Sequence, residues 1–513
     1  MPEPPEVLKD IAKEMAQQAE KCWMRPGYHF LPRDGWMNDP NGTVYFDGYF
    51  HMFYQKNPWQ EIWGYMHWGH ARSPDLVHWE RLPIAFGPSY DDGEDHCYSG
   101  CAVDNAGILT AIYTSISENR PPEQWMATSQ DGIHFKKFAS NPIMNMSLHG
   151  EDEARTENWR DPYIWRETGE NAWHCVIGGQ LISQGPEGKK NPIPTAFHYL
   201  SDDLVRWKYI GPLIQGAHER PPENHPDPEW HIPNFECPNF FPLAPSDREN
   251  RTYCFVCAPH NKILYNIGQY RISSGEYSFL PTRWRVLDVG HAFYATNTWV
   301  HEDRAIIIGW VRVSGTGGWN GAQSIPRELS IRPDGHLRQQ PIKELEKLRQ
   351  DQIKIKDFTI DAINEIGYSF VNLSSLLDGE NSAKMINILA NSERQVEIKM
   401  LLSDFPRAFE LRLYPEGADV KDKIAGLFGI DQDEGILYLG REHGTFSLLE
   451  DEKEIFLHIF LDNSIIEIFI NERIAFTSTI RPKPDATPQL AFQFDDEAIK
   501  VKSLEIWKLG SIW

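Results

Sequence analysis

Five short polar clusters recur at near-regular intervals along the first two thirds of this chain. They are NDPN with Asp39, YSGC with Ser99, RDPY with Asp161, ECPN with Glu236 and FYAT with Tyr294, and the gaps are 60, 62, 75 and 58 residues. An apolar, strand-like run follows each: TVYF, CAV, YIW, FF and TNTWV. A period of this length holds four short strands with their turns. Such a unit cannot bury its own apolar face, so successive units must pack on one another. The spacing therefore predicts a five-bladed β-propeller. Its innermost strands would converge on a central channel, and polar residues at the same place in each unit would meet at one mouth.

A second fragment runs out of step with the first: SPDLVHW (Ser73–Trp79), SQDGIHF (Ser129–Phe135) and SDDLVRW (Ser201–Trp207). Ser and Asp supply turn chemistry, and the aromatic starts the next strand. These features place the propeller over residues 25–337. Ahead of it, Leu8, Ile11, Met15, Ala19 and Cys22 recur at helical spacing, which reads as an amphipathic helix within residues 1–24. Behind it, PIKELEKLRQ reads as a short charged helix in a linker over residues 338–354. From 355 to 513 apolar and polar residues alternate. Glu454–Ile480 reads as successive strands with tight turns at Asp462–Asn463 and Asn471–Glu472, and SLEIWKL closes a β-sandwich. The expected fold is all-β, a propeller followed by a sandwich.

With 73 acidic and 50 basic residues the formal charge is −23. Nucleic acid and anionic membrane, which need basic footprints, are excluded as main partners, whereas a neutral ligand fits. The 18 Trp and 19 Tyr suit the flat apolar faces of sugars. The N-terminus lacks the basic start and apolar stretch of a signal peptide. The expectation is a cytoplasmic protein if Met1 is the native start, and a secreted one if a signal peptide has been removed. Seven Cys imply no disulfide framework, and CFVC at Cys254–Cys257 reads as a buried strand. Asn145, Asn250 and Asn372 head glycosylation sequons that matter only in a secreted chain. The histidines show no metal-ligand spacing, so His70 and His291 read as structural or hydrogen-bonding, and neither metal nor cofactor is expected. There is no phosphate-binding GKS/T loop and no G-x-S-x-G elbow.

What remains is a set of acids, Asp39, Asp161 and Glu236, on three different units. Glycoside cleavage needs one carboxyl to protonate the leaving oxygen and a second to act as nucleophile or base. The apolar NFECPNFF setting of Glu236 suits a proton donor, because burial favours the neutral acid. Asp39, beside the Asn38 amide and stiffened by Pro40, suits an ionised nucleophile in a turn that leads into an innermost strand. Asp161 follows Arg160, which offsets its charge, and suits holding sugar hydroxyls.

The series WMNDPNG, Tyr54–Gln55, WGH, YSGC, RDP, EC and FYA, in this order, resembles the motif series of glycoside hydrolase family 32, the invertase, inulinase and levanase family. LDNSIIEIFINER resembles that family's sandwich strands, so the likeness covers nearly the whole chain. The resemblance implies a retaining β-fructofuranosidase with Asp39 as nucleophile, Glu236 as general acid/base and Asp161 as transition-state stabiliser. It implies a fructose-binding subsite lined by Asn38, Gln55, Trp63, Tyr98, Ser99 and Arg160, and Tyr294 joins the substrate-binding set through its cluster. Tyr98 stands where the family often has Phe, Cys101 where it has Ser, and Glu472 follows Asn471 where Gly is usual. Two other functions fit the same residues: a fructosyltransferase making kestose-type oligosaccharides, and a carbohydrate-binding propeller without catalysis. The expected partner is a small saccharide. A homodimer is compatible with the sandwich, although nothing in the sequence selects it.

Overall fold

The structure is a computed structural model that describes residues 6–513 apart from 185–189, 217–233, 244–250, 260–261, 274, 316, 362–370, 415–425 and 495–497; Asn250 therefore lies outside the described residues. Four antiparallel four-stranded units follow one another in sequence order, with innermost strands Gly35–Phe46, His96–Asn105, Thr156–Arg166 and Glu236–Pro242. A fifth unit is built from Phe293–His301, Arg304–Ser314, Arg327–Ile331 and Leu337–Pro341. The innermost strands pack against one another in cyclic order, and the fifth returns to the first. The ring is tied shut by the strand Trp319–Gln323, which pairs with Arg304–Ser314 on one side and runs parallel to Gly35 and Trp36 on the other. This closure leaves no free inner edge.

The out-of-step repeat now has a place. In each of the first three units its Ser ends the third strand and its aromatic precedes the fourth. The Asp side chain organises the turn between them: Asp75 accepts from the Val77 and His78 N–H groups, Asp131 from Ile133 and His134, and Asp203 from Val205 and Arg206. These bonds favour the charged carboxylate, and Asp203 is held down at about 2.

The first helix spans Glu6–Glu20, with Met15 and Ala19 buried and Ile11 exposed; the side chain of Leu8 lies outside the described residues. Within 338–354 the charged segment forms a short 3₁₀ helix, Lys343–Leu348, flanked by the last strand of the fifth unit and by the strand Arg349–Ile360. The C-terminal part stacks two sheets. One has the order Ile474–Thr479, Ile465–Ile470, Ile455–Asp462, Gln395–Asp404, Ile499–Leu509, Arg349–Ile360. The other runs from Val371–Asn372 to Glu442–Thr445. The turn at Asn471 and Glu472 uses positive φ values of 51° and 53°, the left-handed conformation that two-stranded turns need. The alternation pattern did not reveal the helix Gly379–Ala390, which is N-capped by Asp378 and buries Met385, Ile388 and Leu389. The first sheet continues by a parallel bridge between Ala475 and Asp288 into the fourth propeller unit, and one apolar core spans the two. Cys254 and Cys257 lie in the strand Thr252–Ala258, fully buried, and all seven cysteines are free thiols. Among the described residues no helix is long and apolar enough to cross a membrane.

Candidate active site

Every one of the five innermost strands carries a register irregularity at its first polar cluster. In the first, Asn38 and Asp39 together oppose Gln55. In the second, Tyr98 and Ser99 oppose Thr114. Asp161 and Pro162 oppose Ile177, Cys237 and Pro238 oppose Cys257, and Ala295 is the extra residue in the fifth. Asp161, Cys237 and Ala295 adopt φ of 66°, 44° and 36°. A regular strand turns alternate side chains to opposite faces, whereas a bulge re-aims neighbours. The consecutive pairs Asn38/Asp39, Tyr98/Ser99, Arg160/Asp161 and Glu236/Cys237 accordingly all line one cavity. The prolines of NDPN, RDPY and ECPN sit at three of these bulges, where a missing N–H costs the ladder nothing. The stretch around Asp39, read from sequence as a turn, is thus a bulge inside a strand.

The cavity has a volume of 230 Å³ and is lined by Asn38, Asp39, Gln55, Trp63, Tyr98, Ser99, Arg160, Asp161, Glu236 and Tyr294, together with Cys237 and Trp310. All ten residues proposed from sequence therefore lie around it. Trp63 stands at its rim, 49% exposed, with its ring 6.0 Å from that of Tyr98. Cys237 was visible in the ECPN cluster but not singled out. Trp310 comes from the second strand of the fifth unit and belongs to no repeated pattern. His70 and His291 lie elsewhere. His70 is buried against His51, and the His291 N–H donates to Glu442 at the seam with the sandwich.

Asp39 is held on both oxygens. Asn38 Nδ2 donates to Oδ1 at 2.9 Å and Ser99 Oγ to Oδ2 at 2.6 Å, while Cys237 Sγ lies 3.5 Å from Oδ2. Asn38 is itself fixed by Trp36 Nε1, which donates to its side-chain oxygen at 2.6 Å, and by Gln323, which donates to its carbonyl. Burial pushes the Asp39 carboxyl up, the Ser99 and Asn38 bonds pull it down, and the charge of Glu236 adds to the upward shift. Asp161 accepts from the Cys237 N–H at 3.0 Å, and its own N–H donates to Thr114 Oγ1. Burial outweighs Arg160 here and raises Asp161 to about 6.

Arg160 offsets the charge of its neighbour Asp161 from 3.8 Å, and its guanidinium makes a closer contact with Glu236 Oε1 through Nη2. The bulge turns Arg160 across to the next unit. The other oxygen of Glu236 takes a 2.6 Å hydrogen bond from the Tyr294 hydroxyl, which also lies 2.9 Å from the Ala258 carbonyl. A hydroxyl has one proton. Tyr294 can donate it to Glu236 when that group is a carboxylate, or to Ala258 while accepting from Glu236 when it is an acid. Three carboxyls and one short guanidinium contact suit a ligand rich in hydroxyl groups.

Residues 29–341 match the family model described as the glycosyl hydrolases family 32 N-terminal domain, and residues 427–508 match that family's C-terminal model. A sucrose-6-phosphate hydrolase of Zymomonas mobilis is 32% identical over 98% of this chain and 95% of its own length. The raffinose invertase of Escherichia coli is 29% identical over 96% and 97%. In three dimensions the sucrose-6-phosphate hydrolase of Lactobacillus gasseri superposes with a TM-score of 0.75 over 98% of this chain and 97% of that one, at 24% identity, a likeness of fold.

Proposed function

The chain belongs to glycosyl hydrolase family 32, and on that premise we propose that it is a retaining β-fructofuranosidase that removes terminal non-reducing fructosyl units from sucrose and related fructo-oligosaccharides. That it is a glycoside hydrolase follows from the family; the substrate, the stereochemical course and the residue roles belong to the proposal. Its chief support is the meeting of Asp39, Asp161 and Glu236 in one small cavity with Asp39 locked from two sides.

Asp39 attacks the anomeric carbon of the bound fructosyl unit. Glu236 gives its proton to the leaving oxygen, and a covalent fructosyl-enzyme forms. Glu236, now a carboxylate, takes a proton from water, which attacks the same carbon and releases fructose and Asp39. Asn38 and Ser99 hold the nucleophile still, which lowers the entropic cost of attack. Tyr294 accommodates both protonation states of Glu236 by switching its own donor bond, and Arg160 balances the carboxylate form. Asp161 accepts hydroxyl bonds that strengthen as charge develops on the sugar ring. The cavity is smaller than the ~300–1,000 Å³ typical of drug-sized ligands. That supports a site for one terminal sugar ring rather than an internal stretch of polymer.

The test is a panel of sucrose, 1-kestose, inulin and levan with product analysis. Free fructose from each cleaved substrate supports hydrolysis; kestose-type products at high sucrose convert the reading to a transferase. Glu236→Gln should lose about 10²–10⁴-fold in kcat. Turnover at the wild-type rate by a folded Asp39→Asn protein sinks the mechanism.

A further inference from the structure

The catalytic cavity occupies only one end of the propeller axis. The innermost strands run on beyond it, first through the buried polar residues Asn41, Asn239 and Thr296 and then through Thr43, Phe241 and Thr298. At the far end of the same strands lies a second cavity of 780 Å³, more than three times the volume of the first. Its lining and that of the catalytic cavity share no residue.

We propose that this second cavity is a non-catalytic saccharide-binding site for a neutral oligosaccharide. Three features of its walls support this. The rim carries an aromatic platform, Tyr45, 38% exposed and stacked on His301 at 3.9 Å between centroids. Such faces pack on the C–H faces of sugar rings. The floor is polar and rigid: Thr43 Oγ1 donates to Asn297 Oδ1 at 2.6 Å, and Asn297 Nδ2 reaches the Gly100 carbonyl. Beside them Thr298, a residue 2% exposed, lines the cavity, and its hydroxyl has no hydrogen-bond partner among the described residues. A buried hydroxyl without a partner is costly, and rotation about χ1 would bring it to a ligand hydroxyl in the cavity.

The charges select against other ligands. Arg251 is neutralised by Glu167 at 2.7 Å, and Arg166 is bonded to the Asn171 carbonyl and laid over Trp173. The acids that remain, Asp104, Glu302 and Asp303, repel phosphates and other anions and accept from hydroxyls. Among the described residues no three His, Cys, Asp or Glu side chains converge as a metal cation requires. The proposal shares with the catalytic reading the class of ligand and nothing else. It gives the enzyme a second hold on a saccharide whose end another copy is cutting.

The experiment is a calorimetric titration of the Asp39→Asn protein with 1-kestose, paired with a crystal soak. Two sites are expected. Adding Tyr45→Ala or Thr298→Val should remove one and leave the other, and adding Trp63→Ala should remove the other. In the wild-type background Tyr45→Ala should leave sucrose turnover unchanged, which also shows that the variant folds. A single site untouched by Tyr45→Ala, or no binding at all, overturns the proposal. A wild-type protein that hydrolyses sucrose yet shows that single site loses only the second cavity. One that fails on every fructoside but keeps binding sensitive to Tyr45→Ala loses only the catalytic reading.

Discussion

Two clusters of buried acids in this molecule are built alike and behave in opposite ways. One is the cavity proposed as the active site. The other lies between propeller and sandwich, where His29 bridges Asp462 and Glu467, and Arg327 reaches Glu467 and Asp288, all with fully buried side chains. At this seam donors saturate the carboxylates. Asp462 accepts from the Gly27, Tyr28 and His29 N–H groups as well as from the His29 ring. Glu467 accepts from the Ile325 N–H, and Asp288 from the Gly290 and Thr477 N–H groups. Glu467 is lowered: Arg327 and the His29 bond outweigh the burial that alone would raise it. His29 is lifted to about 9 by the hydrogen bonds and charges of its two acids against its own burial. In the cavity the donors are fewer, burial dominates, and Asp39 and Asp161 shift upward. A filled cluster holds domains together, and an underfilled one keeps lone pairs available for a substrate.

The largest effect that can break this comparison is at the seam. Arg327→Met leaves Glu467 and Asp288 buried with one fewer cation and should cost about 3–5 kcal/mol in denaturant unfolding. Sucrose turnover by the fraction still folded should persist. Asp161→Asn should do the reverse. Turnover should fall about 10²–10³-fold. Stability near neutral pH should not fall, because an acid whose folded value exceeds its unfolded one is a burden once ionised. Equal stability losses at both sites would erase the distinction.

The pH dependence separates the clusters further. His29 keeps its proton in the folded state up to about 9, above its unfolded value of about 6.5. Its contribution is therefore complete below pH 6.5 and is lost as pH rises through 9, an effect of about 3 kcal/mol. Urea midpoints between pH 6 and 10 should show this decline, and His29→Gln should flatten it. In the cavity, Asp161 near 6 places the acid limb of kcat/KM in that range rather than near 4, as a property of the coupled carboxyl cluster. The smallest expected effect is at the turn repeat. Asp203→Ala removes the oxygen that accepts from two N–H groups at an exposed turn and should cost less than about 1 kcal/mol in unfolding, with turnover unchanged.

Much of the cavity was legible because its residues lie in polar clusters, three of them with a proline, that precede strand-like runs at a steady period. A proline there marks a bulge, and a bulge marks a side chain turned out of the pleat. Asp39 and Asp161 carry that signature, and Glu236 immediately precedes the bulge at Cys237 and Pro238. Trp310 does not, since it comes from a second strand whose register with Tyr294 only pairing sets. Arg160 shows the limit of neighbour reasoning, because besides offsetting the acid beside it, it meets one 76 positions away. The helix Gly379–Ala390 escaped because its apolar residues are few and the alternating segments around it dominate the pattern.

The sequence by itself determined the repeat, the strand-rich architecture and the family motifs, because periodicity and turn chemistry are local and survive in one dimension. Only the tertiary structure decided which groups meet. The bulges turn five strands toward one mouth, the ring closure leaves a second cavity at the far end, and His29 finds Asp462 across 433 positions. Whether a buried acid serves stability or chemistry depends on how many donors reach it, and donors arrive from segments whose separation no local pattern records.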